Sequence, residues 1–179
     1  MKREEMTCED IDTFVKACEN GNMAKVQGFI ERGIDVNTEN KAGWSALRKA
    51  ARFGYVDIAK VLIQNGADVN AVDKGKWTAL HCAVENGHVD VAKVLIQNGA
   101  DVNAYTLFRK TVLRLTVDEG YFDIVKVLIQ NGADVNAGDD IDITAIHRAA
   151  TNGYVEIATL LIQSGASVNT VTKTGCTPL

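Results

Sequence analysis

Three histidines (His81, His88 and His147), four cysteines (Cys8, Cys18, Cys82 and Cys176) and an acidic run (Asp139, Asp140 and Asp142) are the side chains of this 179-residue chain most suggestive of chemistry. Imidazoles could ligate a metal or shuttle protons, a thiolate could attack a carbonyl, and clustered carboxylates could hold calcium. Their spacing argues against each. His81 and His147 close two copies of one string, Thr-x-x-His at 78–81 and 144–147, and His88 has Tyr55, Tyr121 and Tyr154 as its counterparts, so each belongs to a recurring position rather than to a cluster. No cysteine stands at a matched distance from a histidine, and Cys18 falls on the apolar side of a helical pattern. The acidic run lacks the glycine and the twelfth-position glutamate of an EF-hand loop, and there is no glycine-rich phosphate cradle. The expectation is a chain with no catalytic residue, no metal and no cofactor.

What these residues sit on is a ladder. LIQNGADVN occurs at 62–70, 95–103 and 128–136 and returns as LIQSGASVN at 161–169, each copy 33 residues from the last. Phe14, Leu47, Leu80, Leu113, Ile146 and Leu179 keep the same step, as do Gly21, Gly54, Gly87, Gly120 and Gly153. Repetition at this period marks a solenoid, whose units bury their apolar faces only against their neighbours. Ser45, Thr78, Thr111 and Thr144 each precede an apolar-periodic run and suit a helix N-cap. The first helix then runs about ten residues to a glycine. A second follows, with Ile58, Val61 and Leu62, or Val91, Val94 and Leu95, forming one inward stripe.

The strings SALRKA (45–50), TALHCA (78–83), TVLRLT (111–116) and TAIHRA (144–149), in register with the LIQNGADVN ladder, resemble the T-P-L-H-x-A signature of the ankyrin repeat over nearly the whole chain. The resemblance implies an all-α solenoid of stacked helix-turn-helix units joined by β-hairpin-like loops. It divides the chain into an N-terminal capping repeat (1–37), full repeats at 38–70, 71–103, 104–136 and 137–169, and the start of a sixth at 170–179, all as one domain. It also implies that His81 and His147 bond back to the threonine three residues earlier.

In that family the hairpin tips and the exposed face of the first helix line a groove that binds partner proteins. Carried onto this sequence, the groove takes Lys41, Ala42, Trp44, Lys49, Arg52 and Phe53 from the second repeat, and Lys74, Gly75, Trp77, Cys82, Glu85 and Asn86 from the third. The fourth supplies Leu107, Phe108, Lys110, Leu115, Asp118 and Glu119, and the fifth Asp140, Ile141, Ile143, Arg148, Thr151 and Asn152. Trp44, Trp77 and Phe108 are either packing between hairpins or exposed anchors for a partner, and a row of aromatic residues favours anchors. Lys41, Arg48, Lys49, Arg52 and Lys74 would make the first part basic, and Asp118, Glu119, Asp139, Asp140 and Asp142 the last part acidic. The fourth repeat departs most from the pattern: Thr116 replaces a recurring alanine, and YTLFRKT offers no glycine for a left-handed turn position.

The net charge of −4 argues against nucleic acid as the partner. No apolar run is long enough for a membrane span or a secretory signal, and the cysteines follow no disulfide framework. An intracellular, reducing and cytoplasmic setting and a monomer binding another protein are expected. Because the chain stops at TGCTPL, where a further first helix would start, a larger protein is a competing expectation, with these repeats as the targeting or regulatory region of an effector, ligase adaptor or enzyme. An engineered binder is the weaker alternative, given framework departures at Arg109, Val112 and Thr116.

Overall fold

The protein is described by a computed structural model covering residues 6–178; Leu179, the last rung of the apolar ladder in the expected start of a sixth repeat, lies outside the described residues, as do positions 1–5 of the expected cap. The chain is an all-α repeat solenoid. Its helices are α1 (Cys8–Glu19), α2 (Met23–Glu31), α3 (Ala46–Arg52), α4 (Val56–Gln64), α5 (Ala79–Glu85), α6 (Val89–Gln97), α7 (Val112–Asp118), α8 (Phe122–Gln130), α9 (Ala145–Thr151) and α10 (Val155–Gln163). The connecting hairpins carry only isolated bridges, Glu39 with Ser45 and Tyr105 with Thr111, among the described residues.

Local chemistry sets these boundaries. Ser45, Thr78 and Thr111 adopt extended backbone and accept, through their hydroxyl oxygens, the amide hydrogens of Arg48, His81 and Arg114, which the first turn would otherwise leave orphaned. The helices that follow are seven residues long rather than about ten. The shortfall is the turn itself: after α3 the chain needs Gly54, at φ +77°, so that the Tyr55 amide can reach back 3.0 Å to the Ala50 carbonyl. The second helix of each repeat ends in the same way, with the Ala67 amide bonding the Leu62 carbonyl at 3.0 Å beyond Gly66.

The described residues form two compact units. One runs up to Lys74 and includes Thr78–Ala100; the other comprises Gly75–Trp77 and the chain from Asp101 onward. In the first, α1, α3 and α5 pack in sequence, and α4 packs on α6. Phe14, Leu47 and Leu80, all at most 2% exposed, make its spine, with Leu62 and Leu95 beneath and Ala46, Ala50, Ala79 and Ala83 letting the helices approach. In the second, α7 packs on α9 and α8 on α10, around Leu113, Ile124, Leu128, Ile146 and Leu161.

The asparagine of each DVN string joins successive repeats within a unit. Asn37 donates through Nδ2 to the Gly66 carbonyl at 3.0 Å and accepts the Asp68 amide at 2.8 Å. Asn70 donates to Gly99, Asn103 to Gly132 and Asn136 to Gly165 in the same way. One side chain thus satisfies a helix-end carbonyl that has no partner in its own helix.

Candidate functional site

Positions 48, 81, 114 and 147 are equivalent, and all four point inward. The Thr78 amide and hydroxyl lie 3.2 and 2.8 Å from Nδ1 of the buried His81, and Thr144 holds His147 at 3.3 and 2.9 Å, so both imidazoles fasten helix starts. Because the backbone amides donate to Nδ1, the ring proton sits on Nε2. His88 contacts the Arg52 carbonyl through Nε2 at 3.0 Å. Arginine takes the same inward place in the other two repeats. This corrects one sequence expectation: Arg48 is only 2% exposed and does not contribute to a basic surface. It donates to the Gly43 carbonyl at 2.6 Å and pairs with Glu39 and Asp73 at 3.6 and 3.5 Å, fastening one hairpin to the next. Arg114 bonds Asp139 at 2.6 Å, with both side chains almost fully covered. Burial also pushes the Cys18 and Cys82 thiols up to about 12, so neither is a nucleophile near neutral pH. No group of three or more His, Cys, Asp or Glu residues that could hold a metal exists among the described residues.

In the first unit the candidate residues converge on Trp44. Its half-buried ring has the Lys49 ammonium 4.4 Å from its centroid and the Arg48 and Arg52 guanidinium carbons at 4.9 and 5.5 Å. Such contacts contribute about 0.5–1 kcal/mol each at exposed sites. Lys49 also lies 5.8 Å from the ring of Phe53, which stacks on Tyr55. Carboxylates of the same unit hold two of the surface cations: Glu19 pairs with Lys49 at 3.4 Å and Asp12 with Lys41 at 3.6 Å. Arg52, Lys74, Glu85 and Asn86 are exposed, and Asn86 caps its helix through the Cys82 carbonyl at 2.8 Å. Cys82 itself is buried and leaves the candidate surface.

In the second unit Leu107, Phe108 and Ile141 are 58%, 68% and 46% exposed, whereas Trp77 and Ile143 are half-buried and Leu115 is buried. Lys110 is half-buried and accepts the Thr106 amide through its carbonyl. The expected acidic stretch is thinner than its composition suggests. Asp118 pairs with Arg148 and receives Asn152 at its carbonyl, while Asp139 is held by Arg114 and by the Ile141 and Ile143 amides. Glu119, Asp140 and Asp142 remain exposed; Thr151, also exposed, bonds the His147 carbonyl. Lys76 and Tyr105 stood outside the candidate set, and Arg109 was noted only as a framework departure. The structure places the Lys76 ammonium and the Arg109 guanidinium 4.9 and 5.2 Å from the Tyr105 ring. The available signal was positional: Lys76, Arg109 and Asp142 fall in step with Gly43 and Gly175.

Helix pairs whose recurring positions fill the core and whose exposed positions vary from unit to unit define a repeat solenoid. A family model described as ankyrin repeats in three copies matches residues 14–106 and again 113–179. The chain belongs to the ankyrin repeat family, a family of protein-interaction modules. It is similar over 55 residues, at 38% identity, to the 2-5A-dependent ribonuclease of Mus musculus. That similarity covers 30% of this chain and 8% of the ribonuclease. No helix among the described residues is long and apolar enough to cross a membrane.

Proposed function

We propose that this chain is a non-catalytic, monomeric, intracellular module that binds a partner protein through the variable residues of its first helices and hairpins. The observation that carries this reading is the Trp44 cluster, where the half-buried indole holds Lys49 and Arg52 over its ring and Lys49 also reaches the ring of Phe53, which stacks on Tyr55. Tryptophan and arginine are the side chains that most often dominate an interface. The single domain spanning all repeats belongs to the same proposal. The test is affinity capture with the intact chain and with a Trp44→Ala, Trp77→Ala double variant of equal thermal stability. A partner retained by the first and lost by the second supports the reading; equal retention by both overturns it.

A second reading has one observation in its favour. The matched relative is named as a ribonuclease, and the match occupies a small fraction of it. The repeats would then serve as the targeting or regulatory region of a larger protein, with any catalysis residing elsewhere. Sequencing the complete reading frame decides between the two.

A further inference from the structure

The hairpin tips repeat one backbone conformation at Gly43, Lys76, Arg109, Asp142 and Gly175, with φ of 75°, 61°, 54°, 62° and 82°. Glycine at two of the five tips shows that the turn itself needs no side chain there. Lysine, arginine and aspartate at the other three hold a left-handed backbone that penalises a Cβ. Strain of this kind persists where a side chain does something glycine cannot.

In the second unit two of these side chains act together. Lys76 and Arg109 bring their cations to 4.9 and 5.2 Å from the Tyr105 ring, and neither is ion-paired to a carboxylate among the described residues. Two like charges on one ring repel each other, and a ring quadrupole offsets that only in part, so an anion placed there is stabilised. The Leu107 amide donates to the Gly75 carbonyl at 2.8 Å, tying these two tips together. Leu107 and Phe108 stand beside the cations, 58% and 68% exposed. An open cavity of about 410 Å³ has Tyr105 and Arg109 in its lining with Asn103, Thr111 and Asp134, so the acidic Asp134 confines an anion to the Arg109 side of it.

From this arrangement we infer that the Lys76–Tyr105–Arg109 cluster docks an acidic peptide segment of a partner protein, with carboxylates paired to the two cations and a neighbouring apolar side chain against Leu107 and Phe108. The inference rests on the protein-binding reading and names the chemistry of the partner. A peptide fits better than a nucleic acid. Although Phe108 and Tyr105 expose rings, Leu107 and Ile141 beside them add aliphatic surface that bases do not stack on, and the exposed Asp140 and Asp142 of the next hairpin repel a continuing phosphate backbone.

The experiment is selection of displayed twelve-residue peptides on the intact chain, followed by anisotropy titration of the recovered peptides against wild type and a Lys76→Gly, Arg109→Gly double variant. The recovered peptides should carry Asp or Glu beside an aromatic or aliphatic residue and lose affinity about 10- to 100-fold on the double variant. The same variant should melt no lower than wild type, because relief of the left-handed strain removes misfolding as the cause of the loss. Peptides that are basic, that bind both proteins equally, or that twelve-nucleotide poly(U) RNA displaces would overturn the inference; so would an empty selection or a melting point lowered by the glycines. Peptides lost on Trp44→Ala but kept by the double variant would overturn it while leaving the protein-binding reading intact. If neither variant lowers affinity, both fall.

Discussion

Trp44 and Tyr105 each collect cations, but their surroundings treat those cations differently. Around Trp44, Lys49 is tethered by Glu19, and Arg48 by Glu39 and Asp73, so the charges are largely neutralised within their own unit and the ring is half-buried. Around Tyr105 neither cation has such a tether, the backbone beneath both is strained, and the neighbouring Leu107 and Phe108 face solvent. The same residue types therefore build a self-compensated, preorganised surface in one unit and an uncompensated one in the other. Composition alone does not separate the two; the positions of the carboxylates do.

The sharpest way to probe that contrast is to remove the buried arginine from each unit. Arg114→Ala should cost about 3–5 kcal/mol, because it strands Asp139 in a site that is almost fully covered. Arg48→Ala should cost less, about 1–3 kcal/mol, since Glu39 and Asp73 both reach water once released. Urea denaturation of the two variants measures the difference, and equal losses would mean that the units compensate charge alike.

Next in size are the helix stops. Gly66 and Gly99 sit at φ +89° and +87° with open space where a Cβ would point, so Gly66→Ala and Gly99→Ala should each lose about 1–2 kcal/mol through backbone conformation alone. Unchanged denaturation midpoints would show that these turns shift to accept a side chain.

The smallest expected effect lies in α7. Thr116 is fully buried where the other repeats have Ala50, Ala83 and Ala149, and its hydroxyl donates to the Val112 carbonyl at 2.8 Å. Thr116→Ala should stabilise the free protein by about 0.5 kcal/mol, because a β-branched residue bonding back to its own helix opposes helix formation slightly. Amide exchange across residues 104–120 should also run faster than across 71–87. Uniform exchange, together with a destabilised alanine variant, would make Thr116 a compatible core residue and remove this difference between the repeats.

Much of the fold was legible in the sequence because its determinants are local and recur. Thr78 announces a helix start wherever its hydroxyl can reach the third amide, and the Phe14, Leu47, Leu80, Leu113 and Ile146 ladder marks the buried face because one period sets one direction. The candidate surface was less legible where residue type and direction disagree. Arg48 reads as a surface charge by composition, yet it occupies the inward position filled by His81 in the next repeat; Leu115 and Cys82 fall at positions assigned to the exposed face, yet both are buried. The strain at Arg109 followed from the missing glycine in YTLFRKT. Its convergence with Lys76 on Tyr105 depends on how separate hairpins meet, which no single repeat encodes.

The asparagine bonds carry a consequence for how such a chain can grow. The DVN asparagines Asn37 and Asn103 each hold a donor and an acceptor for the repeat that follows, and the NGAD strings at 65–68 and 131–134 hold the carbonyl and the amide that receive them. Lock and key are thus written into one stretch of 33 residues. A tandem duplication of that stretch makes a copy that already mates with its template on both sides, so genetic lengthening requires no coordinated second mutation. A shift of even one residue in a connection would separate the donor and acceptor that span it while leaving every later pair in step, so each junction would act as its own gauge, accepting whole insertions and rejecting partial ones.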